Sequence, residues 1–572
     1  MRILWDAPIR TDDGVVLLAD VFTPPGGGTF PVLLSYGPYG KGLAFQDGYK
    51  AQWDYLVERC PELNDLTSNR YQNWEVADPE LWTRYGYAIV RVDSRGTGRS
   101  PGRVDLWSQR EAQDMYDCIE WAGTQSWSNG RVGLAGISYY AMNQYQVAAL
   151  QPPHLAAMCP WEGASDWYRE FARHGGILCQ FGQDWFARQV ATVQHGVGAA
   201  GHVSSVTGEL VAGPETDDPA RLAKRRSDLG EAVSMRGEIY DWHHSRNPDW
   251  SKVTVPMLSA ANWGGQGLHL RGNVEAFSQA ASPEKWLEIH GDAHWVDFYS
   301  TRGIALQRRF FDHYLKGDAN GWSREPRVHL RTRHADGSFE DRYEHEWPLE
   351  RTVWTDLHLS EDGALSDTQT PARAEVSYSA TGPGVTFLTA PLIDTMEITG
   401  PMAATLFISS ETSDADIFLV VRLFDPEGGE VTFMGALDPN TPPAQGWLRA
   451  SHRAMDVERS LPYRPYHLHT ETQPLSPGAI YELQVEVWPT SLVIPPGYRL
   501  GLTVRGNDYR YEGELSDFAR SFHYANRGVG PFRHADSRDR PAQVFGRRVT
   551  IHMGGPHDSR LLVPIIPDTP AE

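Results

Sequence analysis

The sequence predicts an α/β fold with a mostly parallel sheet in its first half, broken by a helical insertion, and an all-β domain after it. Three observations predict this. Short apolar runs alternate with helical patterns through the first third of the chain. The rhythm lapses, then resumes between Thr254 and Leu315. Beyond about Gly321 helical periodicity fades, and short β-type runs separated by Pro-, Gly- and Asp-rich turns take over. Strands alternating with helices imply a parallel sheet covered on both faces. Many short strands between turn signals imply a sandwich or jelly roll.

Taken in order, Pro31–Ser35 and Ala88–Val92 read as buried strands. The long aromatic stretch between them, Gly42–Trp82, reads as loop and helix set above the sheet. Ala112, Met115, Ile119 and Ala122 recur at steps of 3, 4 and 3, which makes one helix face, stopped by Gly123. Val132–Ala135 is a strand, Tyr139–Leu150 a helix and Leu155–Cys159 a strand. Periodicity weakens from Asp166 to Ser251, where charged helical stretches such as Ala220–Ala232 sit among glycine-rich loops. Thr254–Ala261 and Lys285–Ile289 are strands, and Ile304–Leu315 is a closing helix. The second half offers Ala404–Ile408, Ile417–Val421, Tyr481–Val487 and Leu500–Val504. The expected division is 1–164 and 251–320 for the two parts of the α/β core, 165–250 for the insertion and 321–572 for the β domain.

Composition narrows the function. With 52 Lys+Arg against 73 Asp+Glu, the net charge is −21. Such a chain is repelled by nucleic-acid phosphates and anionic membranes, so neither is an expected partner. Hydrophobic residues at 41% and charged residues at 22% argue for globular domains and against wholesale disorder. Twenty tryptophans are enough for several cores and an aromatic-walled pocket. The four cysteines, Cys60, Cys118, Cys159 and Cys179, form no CxxC pair, neither a disulfide scaffold nor a zinc spacing. A reducing cytoplasm is therefore expected. Asp6 interrupts the N-terminus before any apolar run, so no signal peptide is expected, and no run of 18 apolar residues occurs.

The sharpest chemical signal is Gly136-Ile137-Ser138-Tyr139-Tyr140-Ala141, placed between an expected strand and an expected helix. A tight strand-to-helix turn lifts a serine hydroxyl above the sheet, and Gly136 removes a side chain that would crowd it. The usual second glycine is absent: Tyr140 stands there, with the small Ala141 one residue later. A serine needs a base, and in such folds it is a histidine after the last strand. Trp286-Leu287-Glu288-Ile289-His290-Gly291-Asp292-Ala293-His294-Trp295 fits that place. His290 ends the strand; His294 lies in the following loop, from which it reaches over the sheet edge, and is preferred. Their spacing of four has no recognisable third ligand, so no metal is expected.

The Tyr139 N–H is one oxyanion donor by position. Tyr36-Gly37-Pro38-Tyr39-Gly40-Lys41 follows the early strand, where a second donor usually arises, and a tyrosine hydroxyl stays protonated to donate. On spacing alone, Tyr39 reads first as a turn aromatic packed on its neighbours. Arg95-Gly96-Thr97-Gly98 lacks both the P-loop Lys-Ser/Thr and the dinucleotide fingerprint, so Asp93 and Arg95 read as braces and no cofactor is expected. His467 and His469 carry no metal signature. Trp161, Trp167, Trp263 and Trp295 fall at expected strand ends or the insertion junction. Packing is their ordinary role, but the location suggests an apolar acyl pocket, with Trp161 and Trp263 as its walls.

The chain resembles the cocaine-esterase and X-prolyl dipeptidyl-peptidase (CocE/NonD) family of serine hydrolases. The matching pieces are Arg10-Thr11-Asp12-Asp13-Gly14-Val15-Val16-Leu17, Gly37-Pro38-Tyr39-Gly40-Lys41, Asp93-Ser94-Arg95-Gly96-Thr97-Gly98-Arg99-Ser100, Trp127-Ser128-Asn129-Gly130-Arg131-Val132-Gly133, Gly136-Ile137-Ser138-Tyr139 and Gly446-Trp447-Leu448-Arg449-Ala450-Ser451-His452-Arg453. They occur in order and cover nearly the whole chain. The resemblance implies an α/β-hydrolase core, a helical cap inserted after the sixth strand and a C-terminal jelly roll. It also implies Ser138 as nucleophile, His294 as base, and the Tyr39 hydroxyl with the Tyr139 N–H as oxyanion hole.

One departure bears on the site. The family places its triad Asp shortly after a Trp beyond the seventh strand, but Ala261-Asn262-Trp263-Gly264-Gly265-Gln266-Gly267 holds no carboxylate, with Gly264 or Gly265 in the Asp position. The third group orients the histidine and stabilises its cation. Glu162, directly after the expected sixth strand, is the proposed replacement. Asp166 reads as structural, and Asp292 and Asp297 are less suited by local chain geometry. The alternative is a serine–histidine dyad or a core without catalysis. Three readings follow: a serine hydrolase of small esters or amides, an exopeptidase cleaving short peptides after a penultimate proline, and a degenerate ligand-binding protein. A homo-oligomer joined through the jelly roll is compatible with all three.

Overall fold

The computed structural model describes residues 1–514 and 527–567, so the end of the expected 321–572 span lies outside the described residues. Its first half is built on eight strands: β1 (Arg2–Arg10), β2 (Val16–Thr23), β3 (Phe30–Gly37), β4 (Ala88–Asp93), β5 (Ser128–Ile137), β6 (Leu155–Trp161), β7 (Met257–Asn262) and β8 (Lys285–His290). Pairing gives the order 1-2-4-3-5-6-7-8. β1 and β2 pair antiparallel, β2 pairs antiparallel with β4, and from β4 onward every pairing is parallel. β4 and β7 are buried along their whole length, as befits strands covered on both faces, although each carries polar residues: Arg91 and Asp93 in β4, Ser259 and Asn262 in β7.

Helices α1 (Gln109–Gly123), α2 (Tyr139–Ala148), α3 (Leu270–Gln279) and α4 (Thr301–Phe311) cover the sheet. Ser108 caps α1 by accepting the Glu111 N–H, and Met115, Ile119 and Ala122 bury its apolar face. β1 and β2 form a hairpin that the periodicity reading did not identify. β7 starts at Met257, after Pro256, and not at Thr254, because a proline has no N–H for the ladder. Between β6 and β7 the chain makes short helical turns, among them Trp167–Ala172, Phe181–Trp185, Pro219–Lys224 and Leu229–Ser234, with a small hairpin at Arg173–His174 and Ile177–Leu178. Turns this short carry no long amphipathic stripe, which is why periodicity fades there.

The second half is a β jelly roll. Its principal strands are β9 (Val328–His334), β10 (Met396–Ser410), β11 (Asp416–Phe424), β12 (Ala444–Arg449), β13 (Tyr481–Ile494), β14 (Arg499–Arg505), β15 (Arg548–Met553) and β16 (Arg560–Ile566). β10 runs antiparallel to β13 from Met396 opposite Ile494 to Ile408 opposite Tyr481, with a bulge between Gly400 and Met402. β11 lies between β12 and β14. Leu406, Ile408, Ile417, Leu419, Val485, Val487, Leu502 and Val504 alternate along these strands into one buried core. β9 pairs parallel with β8 through Leu287 opposite Val328, and parallel with β13 through Arg333 opposite Leu492. The hydrogen-bonded sheet therefore passes from one half into the other. Among the described residues no helix is long and apolar enough to cross a membrane, and all four cysteines are buried and free.

Candidate active site

Ser138 is the single residue between β5 and α2, at φ 56° and ψ −113°. A non-glycine residue held there is strained, a state that persists only where its surroundings enforce it. Gly136 is at φ 154°, and a Cβ on it would come within 2.4 Å of Tyr140 Cβ. A Cβ on Gly37 would come within 2.5 Å of the Tyr140 ring. These two glycines make room for the tyrosine that stands where a small residue is usual. Ser138 itself is partly exposed. Its N–H donates to Trp161 O at 3.0 Å, and the Ile137 N–H donates to Glu75 O at 3.0 Å.

As the first residue of α2, Tyr139 has no intrahelical acceptor for its N–H. Its hydroxyl donates to Glu111, which also accepts the Trp107 N–H. Burial pushes the Glu111 carboxyl up to about 7. The Tyr39 ring lies 6.1 Å from that of Tyr139 and 5.7 Å from that of Tyr140. The Tyr39 hydroxyl accepts from Trp185 Nε1 at 3.2 Å. Burial raises its pKa well above the ordinary value, so it stays protonated and able to donate.

His294 follows β8, and its Nδ1 lies 2.7 Å from Glu162 Oε2. Glu162 follows β6 directly, at φ 50°. Its other oxygen accepts from His290 Nε2 and from Asn262 Nδ2, each at 3.1 Å. His290 Nδ1 in turn meets Glu288 Oε2 at 2.7 Å, and Arg302 pairs with both Glu288 and Asp297. A buried chain of alternating acids and bases thus runs under the site. Burial alone would raise Glu162, but His294 and His290 outweigh it and hold the carboxyl well below the usual carboxylate range. Burial opposes charge on both histidines, yet their carboxylates push His290 up to about 9 and His294 up to about 10.

The glycines after Trp263 have a steric cause. A Cβ on Gly264 would come within 2.4 Å of Gly435 Cα, in a jelly-roll loop. In that loop the Ala436 N–H donates to Gly264 O at 3.0 Å. A Cβ on Gly265 would lie 3.0 Å from Asn262 O and Leu270 N. His269 stacks on His294 with ring centroids 5.0 Å apart and an interplanar angle of 16°. Burial and the neighbouring His294 lower its pKa to about 3, so it packs as a neutral ring.

The remaining nitrogen of the base does not meet Ser138. His294 Nε2 lies 2.9 Å from Glu75 Oε1, and among the described residues Ser138 Oγ makes no hydrogen bond. Glu75, at φ 64°, comes from the long aromatic segment between β3 and β4. Burial raises its carboxyl to about 7, against the lowering effect of His294. The backbone bonds from Ile137 to Glu75 and from Ser138 to Trp161 set the serine beside both residues that hold the imidazole. Glu75, Asn262 and Glu111 had no motif to mark them in the sequence, and His290, weighed there against His294 as the base, instead contacts Glu162.

The two tryptophans read as pocket walls lie elsewhere. Trp161 is fully buried against His290 and Phe298. Trp263 is fully buried in the core shared by the two halves, its indole N–H bound to Arg331 O at 2.8 Å. Both rings are taken up by this packing. The rings around the elbow are instead Trp107, stacked on Tyr139 at 4.4 Å, and Trp185, at 6.2 Å from both Tyr39 and Tyr139. Asp166 caps the Trp167–Ala172 turn and pairs with Arg169. Asp292 is held by Tyr55 and Arg59. Asp93 accepts the Lys41 and Arg99 N–H groups, and Arg95 pairs with Asp114. His467 and His469 are buried side by side. Among the described residues, two groups bring three ligand atoms within 4.8 Å, His174 with Cys179 and His534, and Glu288 with His290 and Asp297. Neither includes Ser138 or His294.

Comparison with known proteins assigns each half of the chain a family match. Residues 13–296 match the family described as X-Pro dipeptidyl-peptidase (S15 family), and residues 320–562 match the X-Pro dipeptidyl-peptidase C-terminal non-catalytic domain. The cocaine esterase of Rhodococcus sp. (strain MB1 Bresler) is 24% identical over 98% of this chain and 97% of its own. A putative Xaa-Pro dipeptidyl-peptidase of Streptomyces avermitilis is 26% identical over 84% of this chain and 74% of its own. A crystal structure of a CocE/NonD family hydrolase from Staphylococcus aureus superposes with a TM-score of 0.83 at 31% identity, covering 99% of this chain and 94% of that one.

Proposed function

Because the chain belongs to the CocE/NonD family of serine hydrolases, we propose that it cleaves a small ester or amide through an acyl-enzyme on Ser138, with His294 as base and Glu162 as the triad acid. The observation that carries this reading is the 2.7 Å contact between His294 Nδ1 and Glu162 Oε2, at the end of the neighbouring strand β6. It also weakens the case for a degenerate binding protein, which rested on the missing Asp.

In the reaction, Ser138 Oγ attacks the carbonyl carbon as its proton passes to His294 Nε2. Glu162 fixes the tautomer that leaves Nε2 free and stabilises the imidazolium. The Tyr139 N–H and the Tyr39 hydroxyl receive the negative oxygen. His294 then protonates the leaving alcohol or amine, and water releases the acyl group by the same steps reversed. Trp107 and Trp185 pack behind the rings of Tyr139 and Tyr39 and so back the proposed oxyanion donors. We take residues 165–250 as the cap over the site and 321–572 as the jelly roll that buttresses it. Four buried, unpaired cysteines suit a reducing cytoplasm.

The test is covalent labelling with a fluorophosphonate probe, followed by turnover of p-nitrophenyl esters and X-Pro amides. Wild type is expected to label and turn over; Ser138→Ala is expected to fold, to escape labelling and to lose turnover by orders of magnitude. Normal turnover by Ser138→Ala removes the reading. Preference within the panel separates an esterase from an X-Pro exopeptidase.

A further inference from the structure

The catalytic reading gives Glu75 no part, although it contacts the base. This carboxylate comes from a different segment from the triad acid, yet it touches the nitrogen that has to receive the serine proton. One oxygen lies 2.9 Å from His294 Nε2; the other is buried and makes no hydrogen bond. The backbone on either side is anchored. Glu75 O accepts from Ile137, the Val76 N–H donates to the Tyr299 hydroxyl at 3.1 Å, and that hydroxyl donates to Asn73 O at 3.0 Å. The side-chain torsions are what remain to carry the carboxylate on or off the imidazole.

We propose that Glu75 is a positioning residue that parks the base: it holds His294 Nε2, with a proton between them, away from Ser138 until that proton is lost. The inference rests on Ser138 and His294 being nucleophile and base. The proton balance is simple. His294 Nδ1–H faces Glu162, and one further proton lies between Nε2 and Glu75 Oε1. Whether it sits on nitrogen or on oxygen, the Nε2 lone pair is engaged and cannot accept from Ser138. When the proton leaves to solvent, a neutral imidazole lone pair and a carboxylate face each other as two acceptors. Their attraction becomes repulsion, Glu75 withdraws, and Nε2 is open to Ser138 Oγ. The proton taken from Ser138 then resides on Nε2 as the Oγ–carbon bond forms.

The other groups facing the pair do not replace it as the titrating unit. Below about pH 9, Glu162 and His290 stay charged together, the first held low and the second raised to about 9. His269 is lowered to about 3 and stays neutral. Tyr39, Tyr140 and Tyr299 are raised by burial and stay protonated. Glu75 itself is raised to about 7.

The experiment measures the rate of fluorophosphonate labelling of Ser138 against pH in the full chain. Wild type is expected to show an acid limb above the ordinary histidine value of about 6.5. Glu75→Gln removes the charge and keeps the shape; its limb is expected to move down by about one pH unit or more, so that labelling at pH 6 rises about tenfold. Glu75→Asp, which keeps the charge, is expected to return the limb toward wild type. If Glu75→Gln fails to fold, Glu75→Ser is read in the same way. An unmoved limb in the neutral variants, or an equal loss of rate at every pH, overturns the proposal while leaving the serine hydrolase intact. A wild type that labels at no pH removes that reading, and this inference with it.

Discussion

The Ala436 carbonyl accepts the His294 N–H at 2.9 Å, so a loop of the jelly roll holds the backbone of the histidine that faces Glu162. The same loop presses on Gly264, one of the two glycines at which the resemblance implies an acid. The position of the carboxylate and the docking of the second domain are therefore one packing problem. Gly264→Asp should not supply a second triad acid. It should cost about 1–3 kcal/mol of stability by overpacking and lower activity, as read by thermal melting and p-nitrophenyl ester turnover. A gain in turnover would contradict this.

Glu162→Gln keeps the volume and one hydrogen bond but loses the charge. Turnover should fall by about 10⁴-fold, the size expected when the group orienting a catalytic histidine is neutralised, with binding of substrate little changed. Single-turnover kinetics on a p-nitrophenyl ester separates the two. Wild-type kcat in this variant would reduce Glu162 to packing.

Tyr39→Phe removes one proposed oxyanion donor and leaves the ring packing against Tyr139, Tyr140 and Trp185. A loss of about 10²–10³-fold in kcat is expected, with folding preserved. The far-ultraviolet spectrum and melting temperature check the second half of that statement. An unaffected kcat would mean that the second donor lies elsewhere.

Stability should also depend on pH through His290. Its folded pKa is raised to about 9 by Glu288 and Glu162 against burial, so the folded state binds its proton more tightly than the unfolded chain does. The stabilisation is complete below about 6.5, the unfolded value, and is lost as pH climbs through about 9. Denaturation midpoints should fall from pH 6.5 to 9.5. His290→Gln should flatten that slope, and an unchanged slope would deny the histidine its charge.

Local signals made much of this site readable. Ser138 was marked by the strand–glycine–serine–helix order, and the absence of any acid at Gly264 and Gly265 directed attention to the neighbouring strand end, where Glu162 contacts His294. Glu75 was not readable, because it enters through a backbone bond to Ile137 from a long aromatic segment with no periodicity. The steric reason for Gly264 was equally hidden, since Gly435 is remote in the chain and approaches only when two domains dock. Trp161 and Trp263 show the limit of reasoning from strand ends: position along a strand was evident, but the face each ring occupies depended on register. The jelly roll was legible as alternating apolar residues, although its seam with β8 was not.

That seam bears on how the protein is handled. Because β9 is zipped to β8 on one side and to β13 on the other, the two halves are not beads on a string. A truncation after residue 320 would strip the partner from β8 and leave a raw, apolar strand margin, the kind of surface on which copies of a chain stick to one another. Shuffling the C-terminal half between relatives would amount to re-tailoring a shared β-sheet, a harder operation than exchanging a tethered module.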